Sequence, residues 1–384
     1  MSFRKKNVVL GMSTRGTGTE QAAQKPEAPL SAGVRPSLLD GRLTISTGTA
    51  SLDQLLAGHA GMPLGCNLLI EESGTTDFAG LLLKYYAAEG LVQGHQVHVL
   101  GPDASWRCEL PGLSKECRPS RKRPTGASSE RMKIAWRYET LGGINNESGT
   151  DHRSVTTTDS FCHSFDLAKY LQLSDAKGEL HATPSVTAGD WLQHSEGRRV
   201  ASPLEIFLAG VSARLEKSKP GTIHRVIVPN LLSPTLYRSA VCRSSDALRF
   251  MHGLRALLRQ HSTSLTAAVS FSTSLYPRST GFTKWMELLC DGVLELVPMH
   301  RQVHIQPQIK SEDMVQGMLR VHNLPIYHER GGGLEGYSSR ENLSFRLSSS
   351  DGLVFKPHSL PPVVDEKMNE GTNNGSLINE TVTF

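Results

Sequence analysis

Gly65-Cys-Asn-Leu-Leu-Ile-Glu-Glu-Ser-Gly-Thr-Thr-Asp-Phe-Ala-Gly-Leu-Leu-Leu-Lys84 is the stretch of sequence that decides the fold. Its apolar run from Leu68 to Ile70 predicts a buried strand, and Ser73 to Thr76 predicts a tight loop. A helix is expected from Asp77 onward, with these apolar residues on or near one face: Leu81, Leu82 and Tyr85. Strand, loop and helix in this order are typical of a phosphate-binding loop.

The chemistry of such a loop is only partly present. A working loop needs backbone N–H groups around the phosphates, a Lys for the outer phosphates and a hydroxyl for magnesium. With Gly74 as the last glycine of the G-x-x-x-x-G-K-[ST] pattern, the Lys position falls on Thr75 and the hydroxyl position on Thr76. The first glycine position falls on Leu69. A neutral Thr75 cannot offset the charge of a transferring phosphoryl group, so the segment is either a degenerate phosphate loop or an ordinary strand-to-helix turn.

A magnesium-binding acid is missing as well. In P-loop ATPases a strand opposite the loop usually ends in an acidic residue, and the best candidate strand here ends with Val226-Ile-Val-Pro-Asn230. The amide of Asn230 lacks the negative charge that attracts a hard cation. Asp103 follows another predicted strand, but Asp is common where loops begin, and we assign it no catalytic role. We therefore predict no catalytic residue, no cofactor and no metal, and a kinase or synthetase activity ranks last.

Composition narrows the class of protein. The chain has 384 residues, a net charge of +4, 38% hydrophobic residues and 6% aromatic residues, which suits one large or two small domains. Its six cysteines form no C-x-x-C pair, so a zinc site is not expected. The cysteines are expected to be free thiols. No stretch approaches the roughly 20 apolar residues of a membrane helix. We expect a soluble, intracellular protein, cytoplasmic and nuclear, with no membrane partner.

Alternating elements continue beyond the loop. Before the loop, a short helix is predicted from Ser51. After the loop, amphipathic helices are predicted over 204–215, 246–259 and 284–289. Each of these three helices precedes an apolar strand, and a further apolar strand follows the helix that begins at Asp77. The four strands begin at Gln96, His224, Thr266 and Asp291. Short strands linked by turns are then expected at 302–306, 317–325, 343–347 and 352–357. The predicted fold is α/β, a mostly parallel sheet flanked by helices, with C-terminal antiparallel strands.

Three regions of different character complete the predicted organisation. Residues 1–40 are rich in Gly, Ser, Thr, Pro and charge and are expected to form a flexible arm. Residues 41–361 form the folded domain, and 362–384 form a disordered tail. Within the domain, inserted loops are predicted near 104–131, 141–160 and 173–200.

A basic run lies in the first inserted loop: Lys115, Arg118, Arg121, Lys122 and Arg123. Such a cluster can contact RNA phosphates, each contact adding a salt-dependent contribution to binding. A solvated loop or a localisation signal explains the same residues, and the sequence does not decide between them.

Several motifs together resemble those of a known family. The more specific ones are Trp136-Arg-Tyr and Phe165-Asp-Leu. The full set is Ser2-Phe-Arg-Lys, Ser46-Thr-Gly-Thr-Ala-Ser-Leu-Asp, Met132-Lys-Ile-Ala-Trp-Arg-Tyr-Glu, Phe165-Asp-Leu-Ala-Lys, Val226-Ile-Val-Pro-Asn-Leu with Ser233-Pro234, and Phe345-Arg-Leu followed by Leu360-Pro-Pro. With these residues the chain resembles the PAXNEB family, the fourth subunit of the Elongator complex.

The resemblance implies a RecA-like fold without a working phosphate loop. It also implies a six-membered ring with the fifth and sixth Elongator subunits, which binds tRNA and supports modification of the wobble uridine. In that family the chemistry belongs to a separate catalytic subcomplex, so this chain is expected to be a non-catalytic accessory subunit. Two alternatives remain: a divergent RecA-like ATPase whose neighbour supplies the missing cation, and a recombination or repair factor that binds single-stranded DNA.

Overall fold

The computed structural model describes residues 30–37, 40–56, 60–114, 160–185, 202–237, 243–299, 315–325, 343–348 and 352–358. Its strands in chain order are β1 (Val34–Pro36), β2 (Leu43–Ile45), β3 (Met62–Pro63), β4 (Asn67–Glu72), β5 (Gln96–Gly101), β6 (Pro111–Leu113), β7 (Phe165–Tyr170), β8 (Glu179–Pro184), β9 (His224–Val228), β10 (Leu265–Ser272), β11 (Gly292–Pro298), β12 (Gly317–Asn323), β13 (Leu343–Ser348) and β14 (Gly352–Pro357). Its helices are α1 (Ala50–Leu55), α2 (Phe78–Gln93), α3 (Pro203–Lys217), α4 (Ser244–Gln260) and α5 (Gly281–Leu289), and a 3₁₀ helix spans Ala104–Glu109.

A nine-stranded sheet forms the centre of the fold. Its strand order is β14-β13-β12-β11-β4-β10-β9-β5-β8. The strands from β11 to β8 pair in parallel, whereas β12, β13 and β14 extend the sheet antiparallel to one another and to β11. The predicted fold class is therefore confirmed. Two smaller sheets, β1-β2-β3 and β6-β7, accompany it.

Both faces of the central sheet are covered. Leu68 and Ile70 of β4 belong to the core beneath α2, while Leu69 belongs to a second core beneath α3, α4 and α5. This alternation follows from the two-residue period of a strand. Because β4 is buried on both sides, its central residues Leu68–Ile70 are a continuous apolar run rather than an alternating one.

The family motif that begins at Ser46 is a closed hydrogen-bonded turn. The carboxylate of Asp53 accepts bonds from Ser46 Oγ at 2.6 Å, from Thr47 N at 2.8 Å and from Thr47 Oγ1 at 2.7 Å. Gly48 N donates to Ser46 Oγ at 2.9 Å, and the Gly48 backbone has φ +79°. A Cβ at position 48 would lie 2.4 Å from the carbonyl oxygen of Tyr85 in α2. The motif therefore allows a close backbone approach between the N-terminal segment and α2.

A buried arginine joins this turn to the sheet. Arg225 of β9 is fully buried, and its guanidinium donates to His95 Nδ1 at 3.0 Å, to Ser46 O at 2.8 Å and to Tyr86 O at 3.1 Å. The guanidinium carbon also lies 4.6 Å from the centre of the Tyr86 ring. These contacts compensate the cost of burying the cation.

The structure differs from the sequence-based predictions at three places in the domain organisation, one of which is β6, within the predicted loop 104–131. Strand β1 lies within the predicted arm 1–40, and β8 lies within the predicted loop 173–200, where it pairs with β5 along its whole length. Both strands are short edge segments, so pairing with a neighbour, not their own pattern, makes them strands. The predicted strand at 302–306 and the predicted tail 362–384 lie outside the described residues, as do most of the first two inserted loops.

Two further features agree with the sequence. The described cysteines, Cys66, Cys108, Cys162 and Cys290, are free thiols. Among the helices that the structure describes, none is long and apolar enough to cross a membrane.

Gly48→Ala is expected to lower the free energy of unfolding by about 2–4 kcal/mol, because the new methyl group meets the Tyr85 carbonyl and the positive φ adds strain. Gly41→Ala is the matched control, since Gly41 has φ +71° with no atom within 4 Å of the added Cβ. The control should lose only the about 1–2 kcal/mol of left-handed strain. Urea denaturation of both variants checks this, and equal losses would contradict the close approach.

Candidate functional site

The loop between β4 and α2 lies at the carboxyl edge of the parallel strands, where ligands bind in open α/β sheets. Gly74, Thr75 and Thr76 are all exposed there, and Gly74 has φ +96°. The structure thus places the three predicted loop residues in the position of a phosphate-binding loop. Gly74 N, one of the loop amides, donates to Ser274 Oγ at 2.7 Å, so the loop is tied to the segment that follows β10.

A carboxylate of the chain itself occupies the start of α2. Glu72, the last residue of β4, accepts from Phe78 N at 3.0 Å and from Ala79 N at 2.7 Å. Its Oε1 also accepts from Thr76 Oγ1 at 2.6 Å. The first two amides of the helix and the hydroxyl in the magnesium position are therefore bound to Glu72. In a working phosphate loop these groups would face a nucleotide and its metal ion.

A second carboxylate caps the same helix end. Asp77 accepts from Gly80 N at 3.2 Å, and its Oδ1 also accepts from Asn230 Nδ2 at 3.3 Å. Asn230 follows β9, which is separated from β4 by β10, and its backbone N donates to Ser270 Oγ at 2.7 Å. The structure thus brings the predicted Asn230 to the loop, where its amide holds the helix cap of Asp77.

The electrostatics of this end of α2 disfavour an external anion. Helix N-termini attract negative charge, and here Glu72 and Asp77 supply it. Burial raises the pKa of Glu72, while the bonds from Thr76, Ala79 and Phe78 oppose that rise. The loop from Ser73 to Asp77 contains no Lys or Arg. A bound phosphate would therefore displace Glu72 or meet two carboxylates without a loop cation.

An arginine at the same edge is held by acidic side chains. Arg278 donates to Glu287 at 2.8 and 3.0 Å, and its Nε lies 3.1 Å from Oε2 of the buried Glu71. Burial, reinforced by the charge of Glu287, raises the pKa of Glu71 to about 8. Because Glu287 holds the guanidinium of Arg278 through two hydrogen bonds, Arg278 is not available as a cation for a phosphate.

The role of Glu72 escaped the sequence analysis. The pattern of a working phosphate loop identifies the groups that are missing at Thr75 and Asn230, but it does not identify the group that replaces a bound phosphate. The available signal was the pair Glu71-Glu72 directly before a glycine turn, with a helix start a few residues later.

The remaining predicted positions are the basic run and Asp103. The basic run at 115–123 lies outside the described residues. Asp103 caps the 3₁₀ helix by accepting from Ser105 N at 3.0 Å, which is a structural role.

A stack of three histidines, also unpredicted, crosses β8, β5 and β9. The ring of His98 stacks on His181 and on His224 with centroids 5.2 Å apart in both cases, and His98 Nε2 lies 2.9 Å from His224 Nδ1. Burial lowers the pKa of His98 and brings that of His224 to about 4, so the stack is neutral near pH 7. In the described part of the chain, no group of three or more metal-ligating side chains has the geometry of a metal site.

Glu72→Ala is expected to lower the free energy of unfolding by about 2–3 kcal/mol, because two helix amides and a hydroxyl lose a charged acceptor. Glu216→Ala on α3 is the control: this glutamate is exposed, and its bond to Ser212 is 3.4 Å long. Chemical denaturation measures both variants. A loss below about 0.5 kcal/mol for Glu72→Ala, the range of ordinary surface changes, would show that the carboxylate does not stabilise the helix start.

The chain is similar to several known proteins that share one name. Elongator complex protein 4 of Schizosaccharomyces pombe is 30% identical over 373 residues, covering 92% of this chain and 94% of that protein. The Xenopus laevis protein of the same name is 27% identical, covering 96% and 92%. The Saccharomyces cerevisiae one is 25% identical, covering 78% and 70%.

A solved structure and a family profile complete the comparison. A KaiC-like protein from Pyrococcus horikoshii OT3 matches with a TM-score of 0.42 and 12% identity, covering 82% of this chain and 100% of that one. The profile of the family described as PAXNEB protein matches residues 27–382. That match spans most of the sequence, as do the alignments with the relatives, and the chain therefore belongs to the PAXNEB family.

Proposed function

We propose that this chain is a non-catalytic subunit of the Elongator complex. The relatives named Elongator complex protein 4 come from fungi and a vertebrate and align over most of their length. The observation that carries the non-catalytic role is the Glu72 carboxylate, which binds the first amides of α2 and the Thr76 hydroxyl. Groups that would stabilise a phosphoryl transition state are thereby used to stabilise the fold.

The finer role that we propose is that of a RecA-like ring subunit. The chain assembles with the fifth and sixth Elongator subunits into a hetero-hexameric ring, which binds tRNA and supports the 5-carbonylmethyl-type modification of the wobble uridine, U34. The catalytic subcomplex carries out the chemistry, and the assembly works in the cytoplasm and nucleus. The basic run at 115–123 is our candidate for contacts with tRNA phosphates. The family resemblance of the sequence motifs supports this role.

The first test is purification of the tagged chain from its own cells, with analysis of partners and of tRNA after deletion of the gene. We expect the fifth and sixth subunits in equal amounts, and loss of the wobble-uridine side chain that re-expression of the wild-type chain restores. If the wobble uridine is still modified after the gene is deleted, and the fifth and sixth subunits do not co-purify with the chain, the proposal is overturned. Equal affinity of the assembly for single-stranded DNA and folded tRNA would favour the repair-factor alternative instead.

A second test separates a degenerate site from a divergent ATPase. Neither Thr75→Ala nor Thr75→Lys should change ATP turnover by the assembled ring more than twofold, because Glu72 and Asp77 still occupy the helix end. Thr263→Ala is the control, an exposed threonine in the turn before β10, at the opposite edge of the sheet. A tenfold change in turnover for either Thr75 variant, with the control unchanged, would indicate a nucleotide site at this loop.

A further inference from the structure

The outward face of α5 presents two large apolar side chains to solvent. Thr283, Met286 and Leu289 of this helix are buried, and they form its contact with the sheet without the two exposed side chains. Trp285 is nevertheless 56% exposed and Leu288 is 68% exposed. Their spacing of three residues places them side by side on the helix. We call Trp285, Leu288 and the neighbouring Lys284 and Arg255 the Trp285 face.

The charges around this face are unbalanced. Arg255 of α4 donates to the carbonyl oxygen of Leu288 at 3.0 Å, which holds its guanidinium at the rim, and Lys284 is exposed beside Trp285. No carboxylate among the described residues pairs with either cation. The nearby acids are already engaged, Glu287 by Arg278 and Asp291 by Arg259 at 2.6 Å.

The C-terminal end of α5 lies at the opposite edge of the sheet from the degenerate loop. Helix α5 ends where β4 begins, since Asn67 Nδ2 donates to Leu289 O at 3.2 Å and Asp291 N donates to Asn67 Oδ1 at 2.8 Å. The loop with Gly74 follows the other end of β4, about 20 Å away for a strand of this length.

We propose that the Trp285 face docks a folded protein that presents an apolar pocket rimmed by carboxylates. Trp is the residue most enriched at the energetic centre of protein interfaces, and Leu288 extends the apolar contact beside it. The two cations at the rim, which pair with no described carboxylate, call for acidic side chains on the partner, which steer association and set its orientation. The occupant is a protein subunit of the assembly in which the chain works, and to that extent the inference rests on the proposed function.

Other occupants fit the same residues less well. Nucleic acid is bound through many cations along a backbone, whereas this face offers two, one of which is tied to a carbonyl oxygen. A second copy of the chain in a two-fold contact would place Lys284 and Arg255 close to the same cations of the other copy. Like charges so placed oppose that contact.

Site-specific photo-crosslinking in the purified native assembly tests the proposal. A photoreactive benzoyl-phenylalanine replaces Leu288, or replaces Ile206 on α3 as control, since Ile206 is also exposed, at 52%, but lies on another helix. We expect position 288 to crosslink to one protein segment that contains both apolar and acidic residues, and position 206 not to. Crosslinks to RNA, to a second copy of the chain, or to no protein in an assembly of full composition would overturn the inference.

Substitutions supply the affinity measurement. Trp285→Ser and the pair Lys284→Glu with Arg255→Glu should each weaken binding of the crosslinked subunit at least tenfold, while Ile206→Ser leaves it unchanged. Trp285→Ser should also leave the unfolding temperature of the free chain unchanged, because Trp285 lies outside the core. A lower unfolding temperature together with weaker binding would show that Trp285 stabilises the fold, and it would overturn the docking role.

The two proposals fail in different ways. Absence of the fifth and sixth subunits from the purified assembly would overturn the proposed function. If position 288 still crosslinks to an acidic and apolar segment of another protein in that assembly, the docking role of the Trp285 face stands.

Discussion

The carboxylate of Glu72 connects the central strand of the sheet to the helix that covers it. Glu72 is the last residue of β4, and its two carboxylate oxygens accept hydrogen bonds from the first amides of α2 and from the hydroxyl of the loop between strand and helix. The N-terminus of a helix carries partial positive charge and unpaired N–H groups, which need an anion or water. Because the chain provides that anion itself, the strand, loop and helix form a closed unit that requires no nucleotide.

The other polar groups of the interior follow the same logic. Arg225 is compensated by His95 and by backbone carbonyls of the N-terminal turn and of α2, and Asp53 is surrounded by hydroxyl and amide donors. Arg278 lies between Glu71 and Glu287. These contacts fasten the N-terminal segment, the helix and the sheet edge together. The polar groups of the described interior thus stabilise the fold.

Much of the fold could be predicted from patterning. The run Leu68–Ile70 is too apolar for an exposed strand and too short for a helix, and the periodicities of 204–215 and 246–259 are those of amphipathic helices. The positions of β1 and β8 could not be predicted, because neither has a decisive pattern. Each becomes a strand through hydrogen bonds to a neighbour that is distant in sequence, Val34 with Ile45 and Leu180 with Val97.

For the candidate site, residue types alone determined which charges are missing: Thr75 carries no cation and Asn230 carries no anion at the positions that a working phosphate loop would charge. What happens instead depended on three-dimensional placement. The bond from Asn230 to Asp77 joins residues 153 positions apart, and the position of Glu72 over the helix start depends on the angle at which the chain leaves β4. A sequence specifies which charges exist, but the fold specifies the distances between them, and electrostatic energy depends on both.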